Sequence, residues 1–503
     1  MIGMNEKLLK KTKSICPECM KVIEAEVVEK DGKALIRKEC PEHGKFEDVY
    51  YSDVEIFKRF EKFAEIGDGI ENPRTEKKQG CPLDCGICPN HKSHTVLSII
   101  DVTNRCNLRC PICFANAAAA GYVYEPTFEQ IKEMLRNLRA NRPTPPPAIQ
   151  LSGGEPTLRD DLPDIVRAAK EAGFWHIEVN TNGIRLANDL DFVKKLREAG
   201  VSTIYLQFDG VTPEPTIKAR GADILPLKLK AIENCRKARV NSIVLVVTLV
   251  KGVNDGQLGD IIRFAAKNKD VVRCVNVQPV SFAGRISQEE RKRWRITIPD
   301  FMKAVEEQTG GQIKASDFYP VPSTLPISRF TSAYMGKEFV KFTCHQHCGA
   351  ATYVFVEDGR FIPITSFVDI SKLFGLLDKY AEQLKKGGFA TKARVLANAV
   401  KEVPGTIDMS KAPKGLNLPK IILKVLGTGS YKALAEFHER AILLASMHFM
   451  DPYNFDLERI ERCGIHYAVP DGRIIPFCTM NSIHRSNVER ELGVPLGEWR
   501  GPK

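Results

Sequence analysis

No stretch of this chain is apolar for long enough to cross a bilayer. The longest such run, SIVLVVTLV, falls far short of the ~20 residues a membrane helix needs. The amino end, MIGMNEKLLKKTKSICPEC, carries lysines but no apolar h-region, which excludes a secretory signal. Low-complexity tracts are missing as well, and a chain of 503 residues, 43% hydrophobic and 27% charged, reads as soluble and globular with two to four domains. These absences place the chain in the reducing cytoplasm, where fifteen cysteines in C-x2-C and C-x3-C-x2-C spacings are metal ligands and not disulfides. The net charge of +11 is moderate and favours an anionic partner or a generally basic surface.

Two turn-rich knuckles, CPEC at 16–19 and CPEH at 40–43, are separated by the alternating stretch VIEAEVVEKDGKALIRKE. That alternation about Asp31-Gly32 predicts a β-hairpin. The spacing is that of a rubredoxin-like or zinc-ribbon site, with Cys16, Cys19, Cys40 and His43 as tetrahedral ligands to one iron or zinc ion. Next comes GCPLDCGICPNHKSH, whose Cys81, Cys85 and Cys88 predict a [4Fe-4S] cluster completed by His91, His94 or a distant residue; alternatively these thiols share ligands with the knuckles.

From 96 to 285, strand-like runs (VLSIID, AIQLS, WHIEVNT, TIYLQFD, SIVLVVTLV, VVRCVNVQP) alternate with amphipathic segments such as FEQIKEMLRNLRA and DFVKKLREAG. Six βα repeats predict an α/β fold with a parallel sheet and helices outside. Residues 1–95 form a Cys-rich domain before it, and 286–503 a C-terminal domain after it.

The first of these strands runs into DVTNRCNLRCPICFANA, with Cys106, Cys110 and Cys113 and no fourth cysteine nearby. Three thiolates from one loop can hold three irons of a [4Fe-4S] cube and leave the fourth open to a small molecule. The next strand ends in LSGGEP, where a glycine pair admits close backbone approach and Glu155 offers an acceptor. Later strands end in NTNG, QFDG and NVQP, a rim of amides and carboxylates that a structural sheet does not need.

Together these motifs resemble the radical S-adenosylmethionine (SAM) superfamily over residues 96–285. The resemblance implies a partial (β/α)6 barrel and reductive cleavage of SAM to methionine and a 5′-deoxyadenosyl radical. It implies that Ser152, Gly153, Gly154 and Glu155 bind the methionine amino group. Asn182, Gln207 and Asp209 would face the ribose or carboxylate, and Arg220 would pair with the carboxylate. The chain departs from many members in having Ile112, not an aromatic residue, before the third cysteine.

Downstream, Cys344 and Cys348 in TCHQHC, with Cys463 and Cys478 around a second Asp-Gly hairpin, resemble the twitch or SPASM extensions and imply an auxiliary [4Fe-4S] cluster. One or two auxiliary clusters are thus expected. Cys235 and Cys274 read as core residues. A helix is expected over YKALAEFHERAILLASMHFM, and the helix-rich insert 369–450 offers apolar faces.

The whole-chain layout resembles the archaeal radical SAM group that includes the tetraether lipid synthases. That resemblance implies joining of unactivated terminal carbons of isoprenoid chains in a diether phospholipid, through an electron donor the sequence does not identify. Hydrogen-atom abstraction suits such a carbon, which offers general acid–base catalysis no handle. A hydrophobic tunnel would follow, with RKRWR (291–295) at its mouth or against a membrane surface, unless that run is an ordinary solvated basic one. The alternative is a radical C-methyltransferase acting on a pterin or other heterocycle. A nucleic-acid partner is not expected, since KVIEAEVVEKDGK between the knuckles is mixed in charge and lacks aromatics.

Overall fold

A computed structural model describes residues 6–117, 121–428 and 437–499. Its amino end is a four-stranded antiparallel sheet in the order β1 (Lys7–Ile15), β2 (Val22–Lys30), β3 (Lys33–Cys40), β4 (Gly44–Tyr51). Asp31 and Gly32 turn the β2–β3 hairpin with φ of +50° and +72°, the left-handed pair such a two-residue turn requires. The strand β1 was not foreseen. It is an edge strand in which lysines recur, a composition that discourages further pairing.

The barrel follows. Six parallel strands, β5 (Leu97–Thr103), β7 (Ala148–Gly153), β8 (His176–Thr181), β9 (Thr203–Gln207), β10 (Ile243–Leu249) and β11 (Val272–Pro279), neighbour one another in sequence order. The short β6 (Tyr122–Val123) lies outside this set. Helices between the strands are built as their sequences dictate. Thr127 and Gln130 form a capping box at the start of Phe128–Arg139, whose Ile131, Met134, Leu135 and Leu138 are buried. Gly200, at φ +104°, closes Leu190–Ala199.

The C-terminal region extends both open edges of this partial barrel. Beyond β11, β15 (Ala441–Met447) pairs in parallel, then β13 (Gly349–Glu357) antiparallel to it, flanked by β12 (Tyr319–Pro320) and β14 (Arg360–Pro363). Beyond β5, β16 (Ile465–Ala468) pairs in parallel and β17 (Ile474–Pro476) closes its hairpin. The last strand, β18 (Val494–Pro495), pairs β6. The hairpins turning at Asp358-Gly359 (β13–β14) and Asp471-Gly472 (β16–β17) therefore stand at opposite edges of one sheet.

Two expectations need correcting here. The helix expected over 431–450 is a strand in its second half: Ala441–Met447 alternates buried and half-buried residues and fills the edge of β11, while 429–436 lies outside the described residues. The apolar faces of the 369–450 insert do not line a tunnel. Helices Ile370–Lys385 and Phe389–Glu402 pack Leu377, Tyr380, Val395 and Ala399 against Phe330, Phe355 and Phe367 as a separate core. No helix among the described residues is long and apolar enough to cross a membrane.

RKRWR is not a free basic patch either. Arg295 is buried, donating from Nη1 to Asp451 Oδ2 at 2.6 Å and from Nη2 to Asp48 Oδ2 at 2.9 Å. Arg291 pairs with the same Asp48 and lies over the Tyr453 ring, 3.7 Å from its centroid. Asp48 is on β4, so these arginines bolt the N-terminal sheet to the segment after β15. Lys10 and Tyr50 add to the bolt, donating to Asp456 Oδ2 at 2.8 and 2.7 Å. Burial alone would raise the Asp451 carboxyl, but Arg295 outweighs it and holds the group at about 2. Its stabilisation is present above the ordinary carboxylate value of ~3.9 and is lost as pH falls toward about 2. The substitution Arg295→Met leaves the buried Asp451 carboxylate without its cation, Asp48 keeping Arg291, and should cost ~3–5 kcal/mol, read as a lowered denaturation midpoint.

Candidate active site and metal centres

At the C-terminal rim of the six strands a cavity encloses ≈1410 Å³, mouth included. Cys106, Cys110 and Cys113 line it, together with Ser152, Gly153, Gly154, Glu155, Asn182, Gln207 and Arg220. The loop bearing the cysteines is fixed by backbone. Gly154 N donates to Thr103 O at 2.7 Å and Glu155 N to Arg105 O at 2.8 Å. A Cβ on Gly153 would stand 2.0 Å from Thr103 O, and one on Gly154 2.3 Å from Arg105 O. The glycine pair thus serves contact with the cysteine loop, and not only approach of a ligand. From the other side Arg285 holds the loop, its N donating to Cys113 O at 3.1 Å and its Nη1 to Cys110 O at 3.2 Å. No motif marked Arg285 in advance.

Glu155 is buried and its carboxylate is oriented by the chain. Oε1 accepts from Thr157 Oγ1 at 2.5 Å and Thr181 Oγ1 at 2.7 Å, whereas Oε2 accepts one bond, from Asn182 N at 2.7 Å. Oε2 thus keeps a lone pair for an ammonium group. Arg220 donates to Asp209 from Nε and Nη2 at 2.7 and 2.8 Å and to Ile112 O in the cysteine loop at 3.0 Å. Burial lowers the Arg220 guanidinium, but Asp209 more than offsets this and holds it above the usual value. Asp209 itself is fully buried and does not line the cavity; it positions Arg220 instead of meeting a ligand. Behind them Lys228, also unforeseen, donates to the Asn182 carbonyl and to Gln207 Oε1. Burial pushes its ammonium down to about 7.

The N-terminal knuckles converge. Cys16, Cys19, Cys40 and His43 place their ligand atoms within 4.8 Å of one another. Cys19 Sγ is 3.9 Å from Cys40 Sγ, and His43 Nδ1 is 3.7 Å from Cys16 Sγ and 3.5 Å from Cys40 Sγ. A metal–sulfur bond of ~2.3 Å gives a tetrahedral edge of about 3.8 Å, so these spacings fit one ion. The only other such group among the described residues, His345, Asp456 and Glu458, is already served by the Lys10 ammonium, 2.8 Å from Asp456 and 2.9 Å from Glu458.

The remaining cysteine sets do not meet that single-ion criterion among the described residues. Corner ligands of a four-iron cube stand further apart than those around one ion, which suits Cys106, Cys110 and Cys113. Burial pushes the Cys106 thiol up to about 12, so its thiolate needs a cation, and iron supplies one. Cys81, Cys85 and Cys88 line a smaller cavity of ≈300 Å³ that His91 also reaches. His94 does not line it. Cys478 is buried and Cys348 and Cys463 half-buried, all within electrostatic reach of one another, and Cys344 is within reach of Cys348. Among them sits the guanidinium of Arg459, its Nε donating to Cys348 Sγ at 3.3 Å.

Residues 100–265 match the radical SAM superfamily model, and residues 8–52 match the HMPTM N-terminal zinc ribbon domain. A radical SAM enzyme, with a [4Fe-4S] cluster, SAM and a mononuclear metal site, is what the barrel, its three-cysteine rim and the ribbon define. Over 494 residues the chain is 53% identical to 7,8-dihydro-6-hydroxymethylpterin dimethyltransferase of Methanocaldococcus jannaschii, an alignment covering 98% of this chain and 97% of that protein. The chain belongs to that protein's family. A probable GTP 3′,8-cyclase of Thermococcus kodakarensis is 31% identical over 182 residues, 36% of this chain and 56% of that one. The solved structure of Streptococcus suis SuiB bound to S-adenosylmethionine is similar at 18% identity and a TM-score of 0.34, over 44% of this chain and 48% of that one. The expectation of lipid coupling, with a diether phospholipid partner and a membrane-surface contact, is overturned by the pterin relative. Within the basic run, Arg291 and Arg295 are turned onto Asp48 and Asp451 and are not offered to an outside anion.

Two outcomes are expected. Replacing Cys106, Cys110 or Cys113 by alanine should abolish 5′-deoxyadenosine formation and lower bound iron by about four per chain, measured by chromatography and metal analysis. Gly154→Ala, which drives a Cβ onto Arg105 O, should displace the cysteine loop and lower cluster occupancy in the same assay while the ribbon keeps its metal.

Proposed function

We propose that this chain is a radical SAM methyltransferase that places methyl groups on a pterin. The carrying observation is 53% identity to the pterin dimethyltransferase across 98% of the chain, ribbon and C-terminal region included. SAM bound at an open-cornered cluster supplies a 5′-deoxyadenosyl radical, which can activate a carbon that has neither an acidic proton nor a leaving group.

The chain's own residues hold and orient. Glu155 Oε2 receives the methionine ammonium, and Arg220, locked by Asp209, receives its carboxylate. Asn182 and Gln207, steadied by Lys228, face the ribose. Ser152, Gly153 and Gly154 complete that wall. Across the cavity Phe449 and Phe477 are stacked, ring centroids 3.9 Å apart and inclined by 24°, with Tyr467 5.4 Å from Phe477. Such a surface accepts a planar heterocycle and keeps water from a radical.

Cys81, Cys85 and Cys88 hold one auxiliary [4Fe-4S] cluster, and Cys344, Cys348, Cys463 and Cys478 hold another. The second stands directly behind the substrate wall, because Phe477 lines the cavity and the next residue is Cys478. Arg459 compensates the thiolate charge there.

Anaerobic incubation of the reconstituted protein with SAM, reductant and 7,8-dihydro-6-hydroxymethylpterin tests this reading. One or two methyl groups should be added to the pterin, read by mass, each matched by one S-adenosylhomocysteine from a second SAM or by consumption of one equivalent of an added methyl-carrying donor. Accumulation of 5′-deoxyadenosine with the pterin recovered unchanged would overturn it.

A further inference from the structure

Asp101 is the cavity-facing residue at the C-terminal end of β5, in register with Ser152 on β7. It is 5% exposed. Its Oδ2 accepts from Arg485 Nη1 at 2.6 Å. Arg485 is itself held by Asn481 and Glu489, at 2.9 and 2.7 Å, and lies over the Tyr467 ring. One guanidinium therefore stands between two buried carboxylates. Glu489 is further bonded by Asn104 Nδ2 at 3.4 Å, but no second donor reaches Asp101 from the described residues. A carboxylate has about four acceptor sites, so Asp101 is left with spare acceptors in an enclosed space where an unmet anion is costly. Its fixed orientation and the adjoining rings of Tyr467 and Phe477 call for a flat ligand with adjacent N–H donors on one edge.

Resting on the proposed pterin chemistry, we infer that Asp101, held in place by Arg485, binds the 2-amino and ring N–H edge of the pterin while the ring system lies on Phe477 and Tyr467. The 2-amino-4-oxo edge presents two parallel donors, as a guanidinium does, and matches a carboxylate in a two-pronged charge-assisted pair. Sequence reading passed over Asp101 because it precedes the cysteine loop as an ordinary strand residue, and its partner is far along the chain, in the helix Arg485–Leu492.

The test compares anaerobic binding of 6-hydroxymethylpterin and of its 2-oxo counterpart, the lumazine, to the reconstituted SAM-bound protein, and repeats both with Asp101→Asn. The unsubstituted protein should bind the pterin about 10- to 100-fold more tightly than the lumazine, the range of one or two bonds to a charged group. Asp101→Asn should lose most of that preference. Iron content and the thermal midpoint report whether the variant has folded, and the comparison of the two ligands on the unsubstituted protein needs no variant. Equal affinity for pterin and lumazine, or a D101N protein whose loss is confined to SAM affinity, overturns the assignment and leaves the methyltransferase reading standing. Failure of the unsubstituted protein to bind either ligand sinks the pterin reading, and this assignment with it.

Discussion

Between β7 and the loop that carries Cys106, Cys110 and Cys113, the two backbones approach so closely that neither Gly153 nor Gly154 could bear a methyl group. The amide hydrogens of Gly154 and Glu155 are spent on Thr103 and Arg105, so the strand end and the loop form one rigid unit. Everything at the rim takes its position from that contact. Glu155 leaves it pointing into the cavity, and Arg220 grips the far side of the loop through Ile112. Arg285 closes the remaining side. Burial makes the Cys106 and Cys110 thiols poor anions, and a frame this stiff keeps the cysteine loop aimed at a shared cluster.

Behind the rim runs a line of alternating charges and dipoles. Lys228 feeds Gln207, Gln207 feeds Asp209, and Asp209 pairs with Arg220. Asp209 and Lys228 are buried, Gln207 and Arg220 half-buried, and each is bonded to the next, which is the condition under which polar groups in a protein interior specify geometry and do not destabilise it. Gln207 and Arg220 face the ligand space, whereas Asp209 and Lys228 stand behind it, and of these four only Lys228 lacks a signature in the sequence.

Much of this was legible beforehand. All six barrel strands, the knuckle ligands and the Asp-Gly turns follow from local patterns: alternation, spacing and the need for left-handed residues. What stayed hidden depends on partners far along the chain. Ala441–Met447 reads as the tail of a helix until β11 offers it an edge. Arg291 and Arg295 look like a solvated basic run until Asp48 and Asp451 enclose them. The substrate was hidden for another reason. Lipid coupling and pterin methylation would both begin with the same cluster and the same radical, so motifs around Cys106 cannot separate them; likeness over the full length to a pterin dimethyltransferase speaks against the first.

The ribbon's attachment says what kind of accessory it is. From its strands Tyr50 and Lys10 bond Asp456 directly, and Asp48 shares the buried Arg295 with Asp451. Swinging the ribbon outward would strip several charges of their counterparts at once, a cost on the scale of a whole domain's stability. It is therefore a buttress and not a tethered carrier, held too firmly to ferry electrons by docking and leaving.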